Sequence, residues 1–192
     1  AGTDYVDLCG EPAWMHDMIT AHGEAAKASG ARIVFSCGFD SIPFDLGVFF
    51  LQQAAQEKIG GVVSRIKGRV RSMQGTFSGG TLASFKATMA AAAKNPEMIN
   101  VLMNPFALTE GFTGPEQPSG FAPIYEEDLG SWSAPFVMAT INTKNIHRSN
   151  LLLDHAYGEN FVYDEMLLTG PGDSGEAIAN AVAADKSMAE NP

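Results

Sequence analysis

The stretch Ala31–Asp45, ARIVFSCGFDSIPFD, has the pattern of a buried strand that runs into a helix N-terminus. Ile33–Cys37 is largely apolar, as expected for a parallel strand covered on both faces. Gly38 permits a tight turn, either residue of the pair Asp40-Ser41 can cap the helix, and Pro43 fits its first turn, where no N–H is needed. The stretch therefore predicts the carboxyl edge of an open α/β sheet, where ligands bind. An ordinary strand-to-helix connection without a ligand has the same pattern.

The residues around this stretch alternate between strand and helix. The pattern predicts a strand at Tyr5–Leu8, a helix at Pro12–Ser29 closed by Gly30, a strand at Ile33–Cys37 and a helix at Ile42–Lys58. Such a βαβα unit builds a parallel sheet through a right-handed crossover. Cys9 and Cys37 would then lie at one edge of the sheet, where they could support thiol chemistry or simply be small buried residues.

The pattern changes after Gly60-Gly61. Val62–Gly75 alternates apolar residues with the basic residues Arg65, Lys67, Arg69 and Arg71, which predicts a strand with one polar face. These charges could meet an anionic ligand, although the solvated face of an antiparallel sheet shows the same alternation.

A glycine pair follows, in Ser78-Gly79-Gly80-Thr81, and opens a long predicted helix from Leu82 to about Met103 with an interruption near Asn95-Pro96. The pair resembles a phosphate-cradling turn, but the spacing and lysine of a P-loop are absent. A tight turn or close packing explains it equally well.

The remaining chain begins with an irregular segment. Residues 104–132 are rich in proline and glycine and are predicted to form a lid, a binding loop or a plain surface excursion. Three elements are predicted after it: a helix at Lys144–Leu153 capped by Asn142-Thr143, a strand at Phe161–Leu168 and a helix at Glu176–Met188.

Composition excludes several classes of function. With 22 acidic and 12 basic residues the formal charge is −10 and there is no basic stripe, which disfavours a nucleic-acid or anionic-membrane surface. No apolar run is long enough to span a membrane. Two cysteines and no secretory leader predict a reducing, cytoplasmic setting. The four histidines fit no metal pattern, so no metal is expected, and acyl transfer lacks a G-x-S-x-G motif.

Four motifs in order resemble the saccharopine dehydrogenase-like oxidoreductases, in the branch that includes trans-acting enoyl reductases. They are YVDLCGE (Tyr5–Glu11), SCGFDSIPFDLG (Ser36–Gly47), SGGTLAS (Ser78–Ser84), and APFVMATINTKNIHRSNLLL (Ala134–Leu153) together with YGENFVYDE (Tyr157–Glu165). The resemblance implies an α/β (α+β) fold. It comprises a remnant of a Rossmann-like parallel sheet in residues 1–58, followed in 59–192 by an α+β substrate or dimerisation domain with a mainly antiparallel sheet.

The chain departs from this family pattern at one point. Members carry a G-x-G-x-x-G fingerprint upstream of the YVDL-like strand, and none precedes Tyr5 here. We therefore expect the chain to be an internal or C-terminal fragment that lacks most of the binding half for NADP or NAD. The isolated chain is accordingly expected to be inactive.

The resemblance also implies roles for individual residues in hydride transfer. It places cofactor-binding residues at Asp7, Glu11, Gly38, Phe39, Asp40, Ser41 and Pro43, and substrate-binding residues at Ser78, Gly79, Gly80, Thr81 and Asn150. His147 could deliver a proton, and Arg148 could orient a carboxylate or thioester oxygen of the substrate. For both, a helix-surface position without chemistry is the alternative.

Two classes of function remain open from the sequence. One is an NAD(P)-dependent oxidoreductase that transfers hydride to a small or lipid-like enoyl or imine substrate. The other is a non-catalytic binding or dimerisation module. The absence of an arginine cluster for a dicarboxylate favours the lipid-like substrate, and the open edges of the predicted sheets favour a homodimer.

Overall fold

The computed structural model describes residues 2–74 and 79–185. The described residues form six strands and six helices: β1 (Tyr5–Val6), α1 (Pro12–Ser29), β2 (Ile33–Val34), α2 (Ile42–Ile59), β3 (Arg65–Val70), α3 (Gly79–Lys94), α4 (Pro96–Met103), β4 (Ile124–Glu126), β5 (Ser131–Pro135), α5 (Ala139–Leu152), β6 (Val162–Gly170) and α6 (Gly172–Ala184).

These elements form two sheets, and the fold is a mixed α+β fold as expected. The chain divides into two compact units that alternate along the sequence. The first unit contains residues 1–64, 96–115 and 140–161, and the second contains residues 65–95, 116–139 and 162–192.

The first unit is built on the parallel pair β1–β2, in which Tyr5 lies opposite Ile33. Helix α1 begins at Pro12 and ends at Gly30, whose φ of 71° is the left-handed conformation that glycine adopts most easily. Met15 and Ile19 of α1 pack on Leu108 in a small buried cluster. The α1 boundaries match those predicted from the sequence because proline and glycine mark both ends of the helix locally.

Helix α5 also belongs to the first unit from Thr140 onward. Helix α5 begins at Ala139, five residues before the predicted start at Lys144. The prediction that Asn142 caps this helix was therefore wrong. Asn142 is instead buried inside the helix, and its Nδ2 donates to the main-chain oxygen of Asp40 at 2.9 Å. Lys144 is buried as well, with its Nζ 2.8 Å from the carbonyl oxygens of Leu102 and Thr140.

The second unit contains a four-stranded sheet in the order β3-β6-β5-β4. β3 and β6 are parallel, with Arg65 opposite Val162, whereas β5 is antiparallel to both β6 and β4. The sheet is thus mainly antiparallel, as expected, but β3 is not an antiparallel strand. Helix α6 packs on β5 and β6.

The alternating basic residues of β3 pair with carboxylates, and Lys67 alone among them is exposed, so the solvated face predicted from the sequence is limited in β3 to Lys67. Arg69 is 9% exposed in its side chain, and its Nε and Nη2 bind Glu126 at 2.5 Å and Asp164 at 2.9 Å. Lys67 binds Glu126 at 2.8 Å, and Arg65 also binds Asp164. These cations satisfy buried carboxylates within the sheet.

The structure changes several other predicted boundaries. β1 and β2 end at Val6 and Val34, two and three residues earlier than predicted, and β6 continues to Gly170. The long helix is interrupted as predicted, giving α3 and α4. The irregular segment 104–132 contains β4 and the start of β5.

Candidate functional site

The candidate site is the carboxyl edge of β1 and β2, where the chain leaves each strand for a helix. The strand pairing continues just beyond the ladder, because Asp7 N donates to Val34 O at 3.2 Å and Cys37 N donates to Asp7 O at 2.7 Å. Two turns follow. Turn A is residues 8–11, between β1 and α1, and turn B is residues 36–41, between β2 and α2.

The Asp7 side chain joins the two turns. Its Oδ1 accepts hydrogen bonds from the main-chain N–H of Cys9 at 2.9 Å and of Ser36 at 3.0 Å. Its Oδ2 accepts a third bond from the Tyr5 hydroxyl at 3.0 Å. One carboxylate therefore satisfies donors from both turns, which explains why regular strand pairing stops here.

Turn A folds around the thiol of Cys9. The thiol donates to Glu11 Oε2 at 3.0 Å, and the same carboxylate oxygen accepts Gly10 N at 3.0 Å. Burial, followed by the hydrogen bond to Glu11, raises the pKa of Cys9 to about 12. Since the thiolate is the reactive form, Cys9 is poorly suited to nucleophilic or redox chemistry at neutral pH. Cys9 and Cys37 are both free thiols.

In turn B the Asp40 side chain lies over Gly38. A Cβ on Gly38 would lie 2.6 Å from Asp40 Oδ1, so the Asp40 side chain occupies the space that Gly38 leaves. Gly38 O accepts the N–H groups of both Ser41 and Ile42, at 3.2 and 2.9 Å. Ser41 is the N-cap residue of α2, but its side chain makes no capping bond, which corrects that sequence prediction. Phe39 is 85% exposed at the tip of the turn.

The two glycines of this edge differ in their surroundings. A Cβ on Gly10 would meet only the tip of Ile141, at 3.5 Å, which is an ordinary contact. The space beside Gly38 is filled by the end of the Asp40 side chain. The cofactor-binding roles assigned to residues of the two turns stay predictions.

The predicted catalytic and substrate residues of α5 form hydrogen bonds or packing contacts within the first unit. Arg148 Nη1 donates to Leu108 O at 2.8 Å, and burial lowers its pKa. Asn150 Nδ2 donates to Gly158 O at 2.9 Å, and its Oδ1 accepts Tyr157 N at 2.8 Å. The roles assigned to these side chains in substrate binding stay predictions.

His147 is 3% exposed, with its ring centroid 4.5 Å from that of Phe106 and 6.1 Å from that of Phe161. Burial, with a smaller contribution from Lys144, lowers its pKa to about 4, so the imidazole is neutral at pH 7. Its Nε2 has no hydrogen-bond partner among the described residues. Proton delivery by His147 stays a prediction.

The glycine pair predicted to bind substrate lies in the second unit. Gly79, Gly80 and Thr81 form the first turn of α3, and Ser78 lies outside the described residues. A depression of about 340 Å³ in the first unit, lined by α1, α4 and the loop after α4, contains none of the predicted site residues.

Sequence reasoning missed three features. Ser36 and Asn142 hold turn B, and only their tertiary contacts reveal this. The third feature is readable in the sequence: Gly170, Gly172 and Gly175 have the spacing G-x-G-x-x-G, between β6 and α6. A Cβ on Gly175 would lie 2.0 Å from Gly170 O, so this glycine permits close packing of α6 on the strand. Asp173 in the first turn of α6 opposes an anion there.

Within residues 2–74 and 79–185 there is no group of three or more His, Cys, Asp or Glu residues that could bind a metal ion. None of the helices in these ranges is long and apolar enough to cross a membrane.

The chain is similar to curated mycobacterial proteins. It is 41% identical over 179 residues to a putative trans-acting enoyl reductase of Mycobacterium tuberculosis, and the match covers 88% of this chain and 42% of that protein. It is 37% identical to a trans-acting enoyl reductase of Mycobacterium ulcerans, covering 88% and 43%. The identity is 35% to a trans-acting enoyl reductase of Mycobacterium bovis, covering 95% and 46%.

The chain thus spans less than half the length of these relatives. No family model and no solved structure matches it.

Proposed function

We propose that the chain is part of an oxidoreductase that reduces the carbon–carbon double bond of an enoyl substrate with hydride from NADPH or NADH. The supporting observation is its identity of 35–41% with trans-acting enoyl reductases over 88–95% of the chain. The proposal includes membership of the saccharopine dehydrogenase-like family and a reducing, cytoplasmic setting, in keeping with the two free cysteines.

The edge formed by turns A and B would receive the nicotinamide end of the cofactor. When bound, the cofactor supplies a hydride to one carbon of the double bond, and a proton must reach the other carbon. Gly10 presents main chain without a side chain in turn A, and the Asp40 side chain lies over Gly38 in turn B. These residues would orient the ring and exclude water beside it.

His147 and Cys9 are the two candidate proton donors in the first unit. The thiol of Cys9 keeps its proton because its pKa is about 12, and a thiol this weakly acidic is a poor donor. His147 is neutral at pH 7 and is held between two phenylalanine rings. It would donate a proton only in a complex whose surroundings raise its pKa and restore the imidazolium form, and in the proposal it acts in that form.

A lipid-like thioester is the favoured substrate class. A dicarboxylate would need cations that are free to bind it. The basic side chains of β3 already pair with the carboxylates of Glu126 and Asp164. An enoyl thioester needs only a hydrogen-bond donor for its carbonyl oxygen, in addition to an apolar surface for its chain.

The proposal also includes a homodimer formed through the sheet of the second unit. β4 is an edge strand of that sheet, and its residues Ile124 and Tyr125 are exposed. Exposed apolar edge strands tend to pair with another chain. Light scattering of the full-length protein should give twice the monomer mass, and a monomer at high micromolar concentration would contradict this part.

The proposed activity can be tested on the full-length protein with enoyl thioesters of several chain lengths. Oxidation of NADPH or NADH, followed by absorbance, should require both the protein and the double bond. The saturated thioester is the control substrate, which should give no oxidation. Oxidation that is equally fast with the saturated thioester, or absent with every enoyl chain, would contradict the proposal.

Asp40→Ala tests whether turn B belongs to the site. If Asp40 lies beside the nicotinamide, kcat should fall about tenfold or more, which corresponds to a loss of about 1.4 kcal/mol in transition-state stabilisation. Asp17→Ala is the control, because Asp17 is exposed on α1 and contacts only His16 among the contacts described for it. A lower melting temperature with unchanged kcat would assign Asp40 to turn stability alone.

A further inference from the structure

The two turns of the candidate site are hydrogen-bonded to each other through side chains as well as through the main chain. Asp7, at the end of β1, binds one N–H in turn A and one in turn B through the same oxygen. In the other direction, the Ser36 hydroxyl in turn B donates to Cys9 O in turn A at 2.6 Å. The turns are thus cross-linked by bonds from both sides.

Ser36 adopts an unusual backbone conformation in this arrangement. Its φ is 57°, in the left-handed region that residues other than glycine seldom occupy, and the residue is 5% exposed. Such a conformation persists only where surrounding contacts impose it. Here the contacts are the bonds from Ser36 N to Asp7 and from Ser36 Oγ to Cys9. The next residue, Cys37, still pairs with the chain after β1, because its N–H donates to Asp7 O at 2.7 Å.

The carboxylate of Asp7 is already occupied by three donors from this chain. We propose that Asp7 and Ser36 are positioning residues, which lock turns A and B into one rigid platform for the reactive end of the cofactor without touching cofactor or substrate. This inference rests on the proposed function. It replaces the cofactor-binding role that family resemblance suggests for Asp7 with an indirect one.

Two substitutions of Asp7 separate positioning from direct contact. Asp7→Asn keeps an oxygen that can accept the N–H groups of Cys9 and Ser36 but removes the negative charge. Asp7→Ala removes the oxygen as well. With the full-length protein, a positioning role predicts that Asp7→Asn retains kcat and the KM for NADPH within about threefold of wild type. Asp7→Ala should lose kcat about tenfold or more at saturating NADPH, because the platform is no longer fixed.

Asp4 provides a matched control at the opposite end of the same strands. Its carboxylate accepts Arg32 N at 2.9 Å and Arg32 Nε at 3.1 Å, so it also connects the chain before β1 to the chain before β2. Asp4→Ala removes a comparable link at the other end of the strands, which makes no hydrogen bond to either turn, and should leave kcat unchanged. An equal loss of kcat in Asp4→Ala and Asp7→Ala would show a general loss of stability and overturn the proposal.

Hydrogen exchange of the main-chain amides gives a readout that does not depend on turnover. Asp7→Ala should accelerate exchange at Cys9 in turn A and at Ser36 and Cys37 in turn B, whereas Asp7→Asn should not. If Asp7→Ala leaves the exchange rates in turn B unchanged, the proposal that Asp7 holds the two turns together is overturned. If the wild-type protein reduces no enoyl thioester, the proposed function fails, and these exchange rates still decide whether the platform exists.

Kinetics that are equally poor in Asp7→Asn and Asp7→Ala, with a raised KM for NADPH, would show that the charge itself contacts the cofactor, and this result would overturn the proposal. Ser36→Gly completes the test. Glycine accepts the left-handed φ without strain but lacks the hydroxyl that binds Cys9 O. It should reduce kcat less than Asp7→Ala does and should speed exchange at turn A.

Discussion

Gly68 of β3 faces two fully buried side chains of β6, which leave no room for a methyl group. A Cβ at this position would lie 2.5 Å from the Tyr163 hydroxyl and 2.8 Å from Glu165 Cγ. The Tyr163 hydroxyl donates to Glu165 Oε1 at 2.8 Å, so neither group can move without breaking a buried hydrogen bond. Burial, with the adjacent Glu165 charge, raises the pKa of Tyr163 and keeps this donor protonated.

Gly68→Ala should therefore lower the free energy of unfolding by about 1–3 kcal/mol through overpacking. Urea denaturation measures the change. Gly23→Ala is the control, because Gly23 lies inside α1 and nothing lies within 4 Å of its added Cβ. That substitution should raise the free energy of unfolding by about 0.5–1 kcal/mol. Equal effects of the two substitutions would contradict the packing argument.

His147 should make the protein sensitive to acid. Its pKa is about 4 in the folded chain and 6.5 in the absence of burial, so the unfolded chain binds more protons between these values. Above pH 6.5 the neutral imidazole makes its full contribution to the free energy of unfolding. As the pH falls from 6.5 towards 4, that free energy decreases by about 3 kcal/mol in total. Urea denaturation of His147→Leu over this range should show a weaker pH dependence than wild type, and parallel curves would contradict the assignment.

At the scale of elements, α2 is tied to the segment before β3 by one side chain. Gln52 is buried, its Nε2 donates to Val63 O at 2.8 Å, and its Oε1 accepts Val63 N at 2.9 Å. Gln52→Ala removes both bonds and should lower the free energy of unfolding by about 1–3 kcal/mol. The neighbouring Gln53 is exposed, and Gln53→Ala should change stability by no more than about 0.5 kcal/mol in the same urea experiment. A similar cost for both would show that the two hydrogen bonds between Gln52 and Val63 do not set the effect.

Elements whose ends are marked by local residues were predictable, and elements that end through tertiary contacts were not. Helix α1 has proline at its start and glycine after its end, and its boundaries follow from sequence alone. The strands β1 and β2 end early because Asp7 binds Ser36, 29 residues away along the chain. Asn142 has the composition of a cap but is buried in α5, because its side chain binds the Asp40 carbonyl from a distant part of the sequence.

At the scale of the whole molecule, the sequence predicted where the first sheet ends but not its burial or the partners of the charges on β3. The strand-to-helix pattern around Gly38 indicated the edge of the sheet, but the predicted burial of the strand was wrong, because Ile33 and Val34 are 40% and 46% exposed. The alternation in β3 could not show that Arg69 binds Glu126, 57 residues away, or that Arg65 binds Asp164, 99 residues away. A periodic pattern reports which face a residue occupies, whereas the partner on that face depends on strand order.

The last prediction concerns how strongly the 192-residue chain binds a dinucleotide. Turn A contains a single glycine, and α1 begins with Pro12, which has no N–H to offer a phosphate. The glycine-rich turn at 170–175 begins a helix whose first turn carries Asp173. With a formal charge of −10 in addition, the chain should bind NADPH with a Kd of about 1 mM or weaker in calorimetry.

Asp173→Lys makes this expectation sharper, because it reverses the only charge in the first turn of α6 without disturbing the buried Gly175. If the phosphates do not bind at 170–175, the variant should bind NADPH as weakly as wild type, apart from the small gain for any anion when one negative charge is replaced by a positive one. Micromolar binding by wild type would contradict the weak affinity. Micromolar binding that Asp173→Lys strengthens about tenfold would show that the phosphates lie on α6 and not beside turn A.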